Sequence, residues 1–336
     1  LEIAYEVAGD RIEDAIYAPN KVERGKKVGA LRDEVEATLK ERVPNVSEFE
    51  IEQCFEYIQK KAFRIAIMEK GVRADGRDID TLRDLYAEAG TLPRVHGSSI
   101  FARGETQALA TATLAPADER QYFDNYAGGE DSKRFILHYS FPPFSVGEAG
   151  RFGGLNRREI GHGALAERSI EPVIPAEADF PYAMRVTSEV LESNGSSSMA
   201  TVCSGVMALL DAGVPLIRPV GAIAVGLVTE MDENNNIKEY KTLLDIIGSE
   251  DFYGDMDFKI CGTSEGITGY QLDLKLAGVP LAILEEAVVK AAGGREKVLQ
   301  KMHDTIAVPA ALSEHAPRIE STKIDPERIG ELIGPG

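Results

Sequence analysis

Three groups of residues in this chain are of types and spacings that could do chemistry. The run Ser193-Asn194-Gly195-Ser196-Ser197-Ser198 stands between a strand pattern ending near Val190 and a helical pattern carrying Val202, Val206, Leu209 and Leu210. Glycine and small hydroxyl residues at the opening of a helix expose backbone N–H groups at the positive end of the helix dipole. Serine hydroxyls add donors, so the segment suits an anion such as phosphate. A plain serine N-cap accounts for the same run equally well. No Gly-Lys-Ser/Thr follows, so it is not a Walker loop, and it is not a dinucleotide fingerprint. Arg157 and Arg158 open a second helical stretch, with Glu159 behind them and His162 four residues after Arg158 on the same face. Adjacent guanidiniums make a bidentate phosphate clamp, although ion pairs with neighbouring acids are the ordinary fate of surface arginines, and a lone histidine is more often structural. Glu250, Asp251, Asp255, Asp257 and Lys259 form the third group. Carboxylates so close repel one another unless they are solvated or bridged by a hard cation, and phosphates nearby would suit Mg²⁺ or Mn²⁺. A solvated acidic turn is the commoner outcome, but period-two spacing points Asp257 and Lys259 the same way from a strand. A serine nest, paired arginines and carboxylates with a lysine are the parts of a phosphoryl-transfer site, where positioning and charge neutralisation do most of the work. These residues indicate a reaction class, not a substrate.

The elements that must position them divide the chain in three. Residues 1–70 read as an all-helical domain. A capping box at Ser47 and Glu50 starts one helix, whose buried face is Ile51, Cys54, Phe55, Ile58, Ala62 and Ile65. An earlier helix carries Val28, Leu31, Val35 and Leu39 and stops before Pro44. Scaffolding is the plain expectation for this bundle. Residues 71–310 change to short β-rich runs punctuated by glycine, a mixed α/β domain. Strands are expected at Gly97 to Phe101, Gln107 to Leu114, Phe135 to Phe141, Tyr182 to Val190 and Gly221 to Val228, with helices at Arg157 to Glu167, Ser198 to Leu210 and Leu281 to Ala292. Met256, Phe258 and Ile260 alternate with charged residues, as do Leu272, Leu274 and Leu276. A hairpin is expected there, with Asp255, Asp257 and Lys259 on the face opposite the core. Residues 311–336 read as a polar connector leading into a further domain.

A formal charge of −18, from 55 acidic and 37 basic residues, argues against nucleic-acid or anionic-membrane binding through the overall field, so any nucleic-acid partner must be gripped locally. No apolar run reaches the ~18 residues of a membrane span and the N-terminus lacks a secretory signal. Cys54, Cys203 and Cys261 are odd in number and far apart, which fits neither a disulfide framework nor a zinc site and suits a reducing cytosol. The chain begins without Met and stops inside a loop pattern, from which we expect a piece of a longer polypeptide.

The same residues carry a resemblance. Arg73-Ala74-Asp75-Gly76-Arg77, then His96-Gly97-Ser98-Ser99 running into Arg103-Gly104-Glu105-Thr106-Gln107, then Phe141 to Glu148 resemble the ribonuclease PH superfamily. Arg157 to Gly163, Ser193 to Met199 and Gly254 to Lys259 narrow the likeness to the second catalytic core of the bacterial polynucleotide phosphorylases. Residues 1–70 are similar to the linker domain of that family, and Ile329 to Gly336 to the start of its K-homology domain, cut within the GxxG loop. The resemblance covers essentially the whole chain and implies an α+β fold: a ribonuclease PH-like core of mixed sheets and helices behind a small all-helical domain. It implies a cytoplasmic homotrimer that phosphorolyses RNA from single-stranded 3′ ends, releases nucleoside diphosphates, runs in reverse as a template-independent polymerase and serves mRNA degradation, with proteins of an RNA-degradation complex as further partners. Ser197 and Ser198, with Ser196, would bind inorganic phosphate. Arg157, Arg158 and His162 would hold RNA phosphates, Asp251 and Asp257 would bind Mg²⁺ or Mn²⁺, and Lys259 would neutralise charge beside them, making Asp257, Lys259 and Asp251 the catalytic set. Asn156 departs from the pattern, standing where many relatives carry a basic residue. Two other readings are a non-catalytic RNA-binding ring subunit of the same assembly and a small-molecule kinase with a Gly-Ser-Ser phosphate loop. The kinase leaves the remaining motifs unexplained. Arg73, Asp75 and Arg77 are expected to fix the domain's entry by ion pairs.

Overall fold

The computed structural model describes residues 1–334 apart from 19, 125, 127, 152, 155, 321 and 322. Its N-terminal helices are α1 (Glu2–Ala8), α2 (Arg11–Ile16), α3 (Lys21–Arg42) and α4 (Glu48–Ile65). The start of α4 is the expected capping box: the Glu50 N–H donates to Ser47 Oγ at 3.2 Å and the Ser47 N–H to the Glu50 carboxylate at 2.9 Å. Leu31, Val35 and Leu39 of α3, and Ile51, Phe55 and Ile58 of α4, are buried as their spacing requires. The stripe on α4 then departs from expectation. Ile65 is 39% exposed, Cys54 and Ala62 are half-buried, and Phe63 is buried instead. The cause is a neighbour outside the bundle: the Phe63 ring lies 5.6 Å from that of Tyr253, so the end of α4 turns its apolar side toward the β-rich part of the chain. Arg64 does the same with charge, forking onto Asp255 with two bonds of 2.8 Å.

The remaining chain builds two sheets. The first contains β1 (Leu85–Ala89), β2 (Gly97–Arg103), β3 (Thr106–Pro116), β6 (Phe135–Ser140) and β7 (Tyr182–Glu192), while β4 (Gln121–Asp124) and β5 (Glu130–Lys133) form a separate ribbon. Strand order is β1-β2-β3-β7-β6, antiparallel except for the parallel β6 and β7 pair. Helix α5 (Arg157–Ile170) lies between β6 and β7 in the chain and α6 (Ser197–Asp211) follows β7. The second sheet, in the order β11-β10-β8-β9, is antiparallel and comprises β8 (Gly221–Met231), β9 (Ile237–Leu244), β10 (Met256–Gly262) and β11 (Ile267–Leu274). A short α7 (Gly248–Tyr253) precedes β10, α8 (Leu281–Thr305) packs on the second sheet, and α9 (Ile329–Ile333) ends the described chain.

Helix α6 is the centre of this arrangement. It packs against β2, β3 and β7 on one side and β8 and β10 on the other, and Ser197 through Leu210 are all buried. A helix covered on every side must be apolar all round, which explains Met199, Val202, Cys203, Val206 and Leu209 in one run.

Several elements differ from the sequence reading. Strand β10 is buried along its whole length because β8 and β11 flank it and its second face is also covered, so Asp257 and Lys259 do not lie on a solvated face. Helix α8 continues past Ala292 through Gly293-Gly294 to Thr305. Gly294 is where the helix nears the sheet, since a Cβ there would stand 2.8 Å from Leu244 Cδ1. Strands β1, β4, β5 and β9 and helix α7 carry no periodic signal of their own. The end of the K-homology-like segment, Pro335-Gly336, lies outside the described residues. Among the described residues no helix is long and apolar enough to cross a membrane, and Cys54, Cys203 and Cys261 are free thiols.

Between the sheets lies a buried charge network. Asp245 is fully buried after β9 and accepts from Arg83 through its backbone N–H at 2.9 Å, Nε at 3.0 Å and Nη2 at 2.7 Å, while Arg103 Nη1 donates to the same carboxylate. Burial alone would raise this carboxyl's pKa, but Arg83 and Arg103 hold it far below the usual carboxylate range. Its contribution to stability is therefore complete above pH ~4 and is lost only as the pH falls well below that. Arg73, also buried, donates to Glu250 from Nε at 2.6 Å, and Arg77 pairs with Asp75 at 2.7 Å, in keeping with the expected anchoring of the entry segment. Asp245→Asn keeps the shape of the side chain and leaves two buried guanidiniums without their counter-charge. Denaturant unfolding is expected to show a loss of about 3–5 kcal/mol, and a loss under ~1 kcal/mol would show that other groups compensate Arg83 and Arg103.

Candidate active site

The serine run bridges β7 and α6, and its backbone is held from below by that charge network. Arg103 Nη2 donates to the Ser196 carbonyl at 2.8 Å and Arg83 Nη1 to the Asn194 carbonyl at 2.8 Å. The Thr106 hydroxyl receives the Asn194 N–H at 2.9 Å and donates to the Gly195 carbonyl at 3.1 Å. Gly195 takes φ +99°, and a Cβ there would stand 2.7 Å from the Ile246 carbonyl, so only glycine fits. Ser196 follows in the left-handed region at φ 52° and occupies the N-cap position of α6, yet its side chain caps nothing. The plain serine-cap reading therefore fails here. The hydroxyls of Ser196 and Ser198 are buried without a hydrogen-bond partner among the described residues, while Ser197 Oγ is bonded to Tyr139 at 2.7 Å. Unsatisfied buried hydroxyls are costly, and an anion seated at the helix N-terminus would satisfy both.

The arginine pair reaches this loop through β6. Tyr139 OH, bonded to Ser197, also lies 3.3 Å from His162 Nδ1. Burial, then Lys259 and Arg158, push the His162 pKa down to about 4, so the imidazole is neutral at pH 7 and acts as a hydrogen-bonding group, not as a cation. Arg158 lies over the Phe141 ring at 4.7 Å from its centroid, which fixes its direction while its head stays exposed. Arg157 is exposed at the first turn of α5. Asn156 has a task of its own. Its side chain accepts the Glu159 N–H at 2.9 Å and its N–H donates to Glu159 at 3.0 Å, a capping box that starts α5.

The acidic group separates into two functions. Glu250 is spent on Arg73 and Asp255 on Arg64 and Thr229, so neither belongs to a metal site. Asp251, Asp257 and Lys259 remain. Lys259 Nζ is paired with Asp257 Oδ2, both side chains being buried, while Asp257 Oδ1 has no partner among the described residues. Burial raises the Asp257 pKa, Lys259 opposes the shift, and the Asp251 and Asp273 charges add to it. Among the described residues no three His, Cys, Asp or Glu side chains converge as a complete ligand set. Two carboxylates with one orphaned oxygen do fit a cation such as Mg²⁺, which keeps several waters and takes further oxygens from phosphates.

Sequence reasoning missed the parts contributed by distant segments. A cavity of about 540 Å³ beside the serine run is walled by Arg158, Ser196, Asp251 and Lys275 and, from α3, by Lys21 and Arg24. Lys21 Nζ donates to the Ser193 carbonyl at 3.0 Å, and its N–H to Glu105 at 3.0 Å, while Asn194 Nδ2 donates to the same carboxylate at 2.9 Å. No local pattern marks Lys21, Arg24, Tyr139 or Asp245. The Arg103 to Gln107 motif was the available signal for the loop's support.

The chain is similar to known proteins along its length. Residues 81–215 match the model for the 3′ exoribonuclease family, domain 1, and residues 2–78 the model for the polyribonucleotide nucleotidyltransferase RNA binding domain. A polyribonucleotide nucleotidyltransferase from Akkermansia muciniphila is 70% identical over 337 residues, covering 100% of this chain and 47% of the relative. Over its whole length the chain is similar to part of the polyribonucleotide nucleotidyltransferases. The Methylacidiphilum infernorum member is 54% identical over 332 residues, covering 98% of this chain and 47% of the relative. The chain thus spans about half the length of the curated relatives it matches. The crystal structure of rice Rrp46 superposes with a TM-score of 0.53 at 18% identity, over 70% of this chain and 100% of that one, a likeness of fold alone. The architecture is α+β, with a ribonuclease PH-like core behind the N-terminal helices.

Ser198→Ala removes a hydroxyl that bonds to nothing within the described residues, so the fold is expected to lose no stability. Its phosphate affinity, measured by isothermal titration calorimetry, is expected to fall at least about tenfold, as for a hydrogen bond to a charged group. Unchanged affinity would show that the serine run is not the phosphate site.

Proposed function

We propose that this chain carries the catalytic centre of a phosphorolytic 3′-to-5′ exoribonuclease. The observation that carries the reading is the pair of partnerless buried hydroxyls, Ser196 and Ser198, at the N-terminus of α6, linked through Ser197, Tyr139 and His162 to the region of Lys259 and Asp257. In this reading inorganic phosphate sits on Ser196, Ser197 and Ser198, and Arg157, Arg158 and neutral His162 hold the phosphates of the RNA 3′ end. A phosphate oxygen attacks the last phosphodiester phosphorus, the bond from phosphorus to the 3′ oxygen breaks, and a nucleoside diphosphate leaves. The shortened RNA takes a proton on its new 3′ hydroxyl. Mg²⁺ or Mn²⁺ on Asp251 and Asp257 would supply charge neutralisation of the reacting phosphates. Lys259 adds a fixed positive charge beside Asp257. By microscopic reversibility the reverse reaction, polymerisation from diphosphates without a template, uses the same groups.

We further assign the bundle of residues 1–70 a share in RNA handling, which the description of the matching family model and the placement of Lys21 and Arg24 on the cavity wall both support. The division into residues 1–70, 71–310 and 311–336, a homotrimeric state, a role in mRNA degradation with complex-forming proteins, and a cytoplasmic setting complete the proposal. A non-catalytic ring subunit would leave the orphaned serine hydroxyls and the orphaned Asp257 oxygen without a purpose.

The test is product release from poly(A) with millimolar Mg²⁺, with and without inorganic phosphate. ADP formed only with phosphate is expected; AMP formed without phosphate would replace phosphorolysis by hydrolysis. Asp257→Asn is the informative variant. Either asparagine or alanine removes the counter-charge of the buried Lys259 ammonium, but asparagine keeps the size of the side chain and an acceptor for it, so turnover is compared at matched folded fraction. Asparagine is expected to keep the fold by circular dichroism and to lower turnover by about 10²–10³-fold.

A further inference from the structure

At the far end of β10 from Asp257 a second polar cavity opens, with no part in the reaction described above. It has a volume of about 530 Å³, lies between α8 and the ends of β8 and β10, and is lined by Arg295, Thr263, Ser264, Gln300 and His303, with Glu296 at its border, against the apolar flank of Leu299. Arg295 is 7% exposed, and its Nε and Nη1 donate to nothing among the described residues. Among the described residues no carboxylate forms an ion pair with it, although Glu296 also borders the cavity. Burial dominates and lowers its pKa, and the only opposing charge felt is the distant influence of Cys261, whose thiol is itself pushed up to about 11. This contrasts with the other deeply buried arginines: Arg73 is paired with Glu250, and Arg83 and Arg103 with Asp245.

The fold has been shaped to hold this guanidinium. Gly221 and Gly262 face each other across β8 and β10. A Cβ on Gly262 would stand 2.4 Å from the Gly266 carbonyl oxygen and 3.2 Å from Arg295 Nε, and one on Gly221 2.9 Å from Leu299 Cγ. The two bare strand ends let α8 come close and lay the arginine head over the sheet edge. A guanidinium is a rigid bidentate fork matched to planar or tetrahedral oxyanions, and a buried cation without counter-charge is destabilising. The surrounding hydroxyls, the Gln300 amide and His303 can add donors. The volume lies in the range of small-molecule sites, about 300–1,000 Å³.

We propose that this cavity is an oxyanion-binding site, separate from the serine run, in which Arg295 receives the phosphate or carboxylate group of a small ligand. The site is independent of the catalytic reading above and does not stand or fall with it.

The experiment measures equilibrium unfolding of the intact chain and of Arg295→Met, in zwitterionic buffer at pH 7, alone, with inorganic phosphate and, separately, with acetate at matched ionic strength. The same series in the Ser198→Ala background removes the contribution of the serine run. Without oxyanion, Arg295→Met is expected to be at least as stable as the parent, because it replaces an uncompensated buried charge by a side chain of similar length. With phosphate or acetate, the parent is expected to gain stability saturably, also in the Ser198→Ala background, and Arg295→Met to show affinity weakened at least tenfold. The anion giving the larger gain identifies the ligand group. Equal gains in parent and Arg295→Met, or no gain from either anion, would overturn the proposal, the latter also being the signature of a carboxylate supplied by another polypeptide. Arg295→Met markedly less stable than the parent without any oxyanion would likewise overturn it, by showing that the arginine is structural.

Discussion

The structure depends most on one buried carboxylate. Asp245 holds Arg83 and Arg103 in the interior, and those two guanidiniums reach past it to the carbonyls of Asn194 and Ser196. Charges so deeply buried are tolerated only when each is paired and hydrogen-bonded, and the network meets that condition by using loop carbonyls as its remaining acceptors. The serine run is thereby fixed in a conformation that includes the left-handed Ser196 and turns hydroxyls away from the role of helix caps. Preorganisation of this kind is how a fold keeps donors aimed at a charge instead of letting them relax onto their own backbone.

The helical bundle is part of the same construction. Its apolar cluster includes Ala224, Val228, Leu243, Ile246 and Ile247 of the second sheet and the loop after it. Arg64 ties α4 to Asp255 just ahead of β10, and Lys21 ties α3 to the carbonyl of Ser193 at the serine run. The bundle therefore bears on both sides of the site, on the strand that carries Asp257 and on the loop that carries Ser196. Scaffolding, the plain expectation for residues 1–70, describes these contacts only in part, since Lys21 and Arg24 also wall the cavity.

Much of this was legible in the sequence where the signal was local. Period-two alternation placed β10 and β11, the three-and-four pattern with its capping box placed α4, and the composition of the serine run singled out the loop that opens α6. What stayed hidden was set by partners distant in the chain. Nothing near Phe63 announces Tyr253, so the buried stripe of α4 was drawn through Ile65. Nothing near Asp255 or Glu250 distinguishes them from Asp251, and only Arg64 and Arg73, nearly two hundred residues earlier, remove them from the acidic group. Asp245 follows two leucines and precedes two isoleucines, a context that reads as plain core. Its importance is visible only once three arginines from one early segment are seen to converge on it.

The central claim is that this network presents the hydroxyls of Ser196 and Ser198 to inorganic phosphate. The most direct test is a crystal structure of the chain grown in phosphate. The account predicts an anion at the N-terminus of α6 within hydrogen-bond distance of both hydroxyls. A phosphate bound elsewhere, with Ser196 and Ser198 turned onto backbone carbonyls, would contradict it.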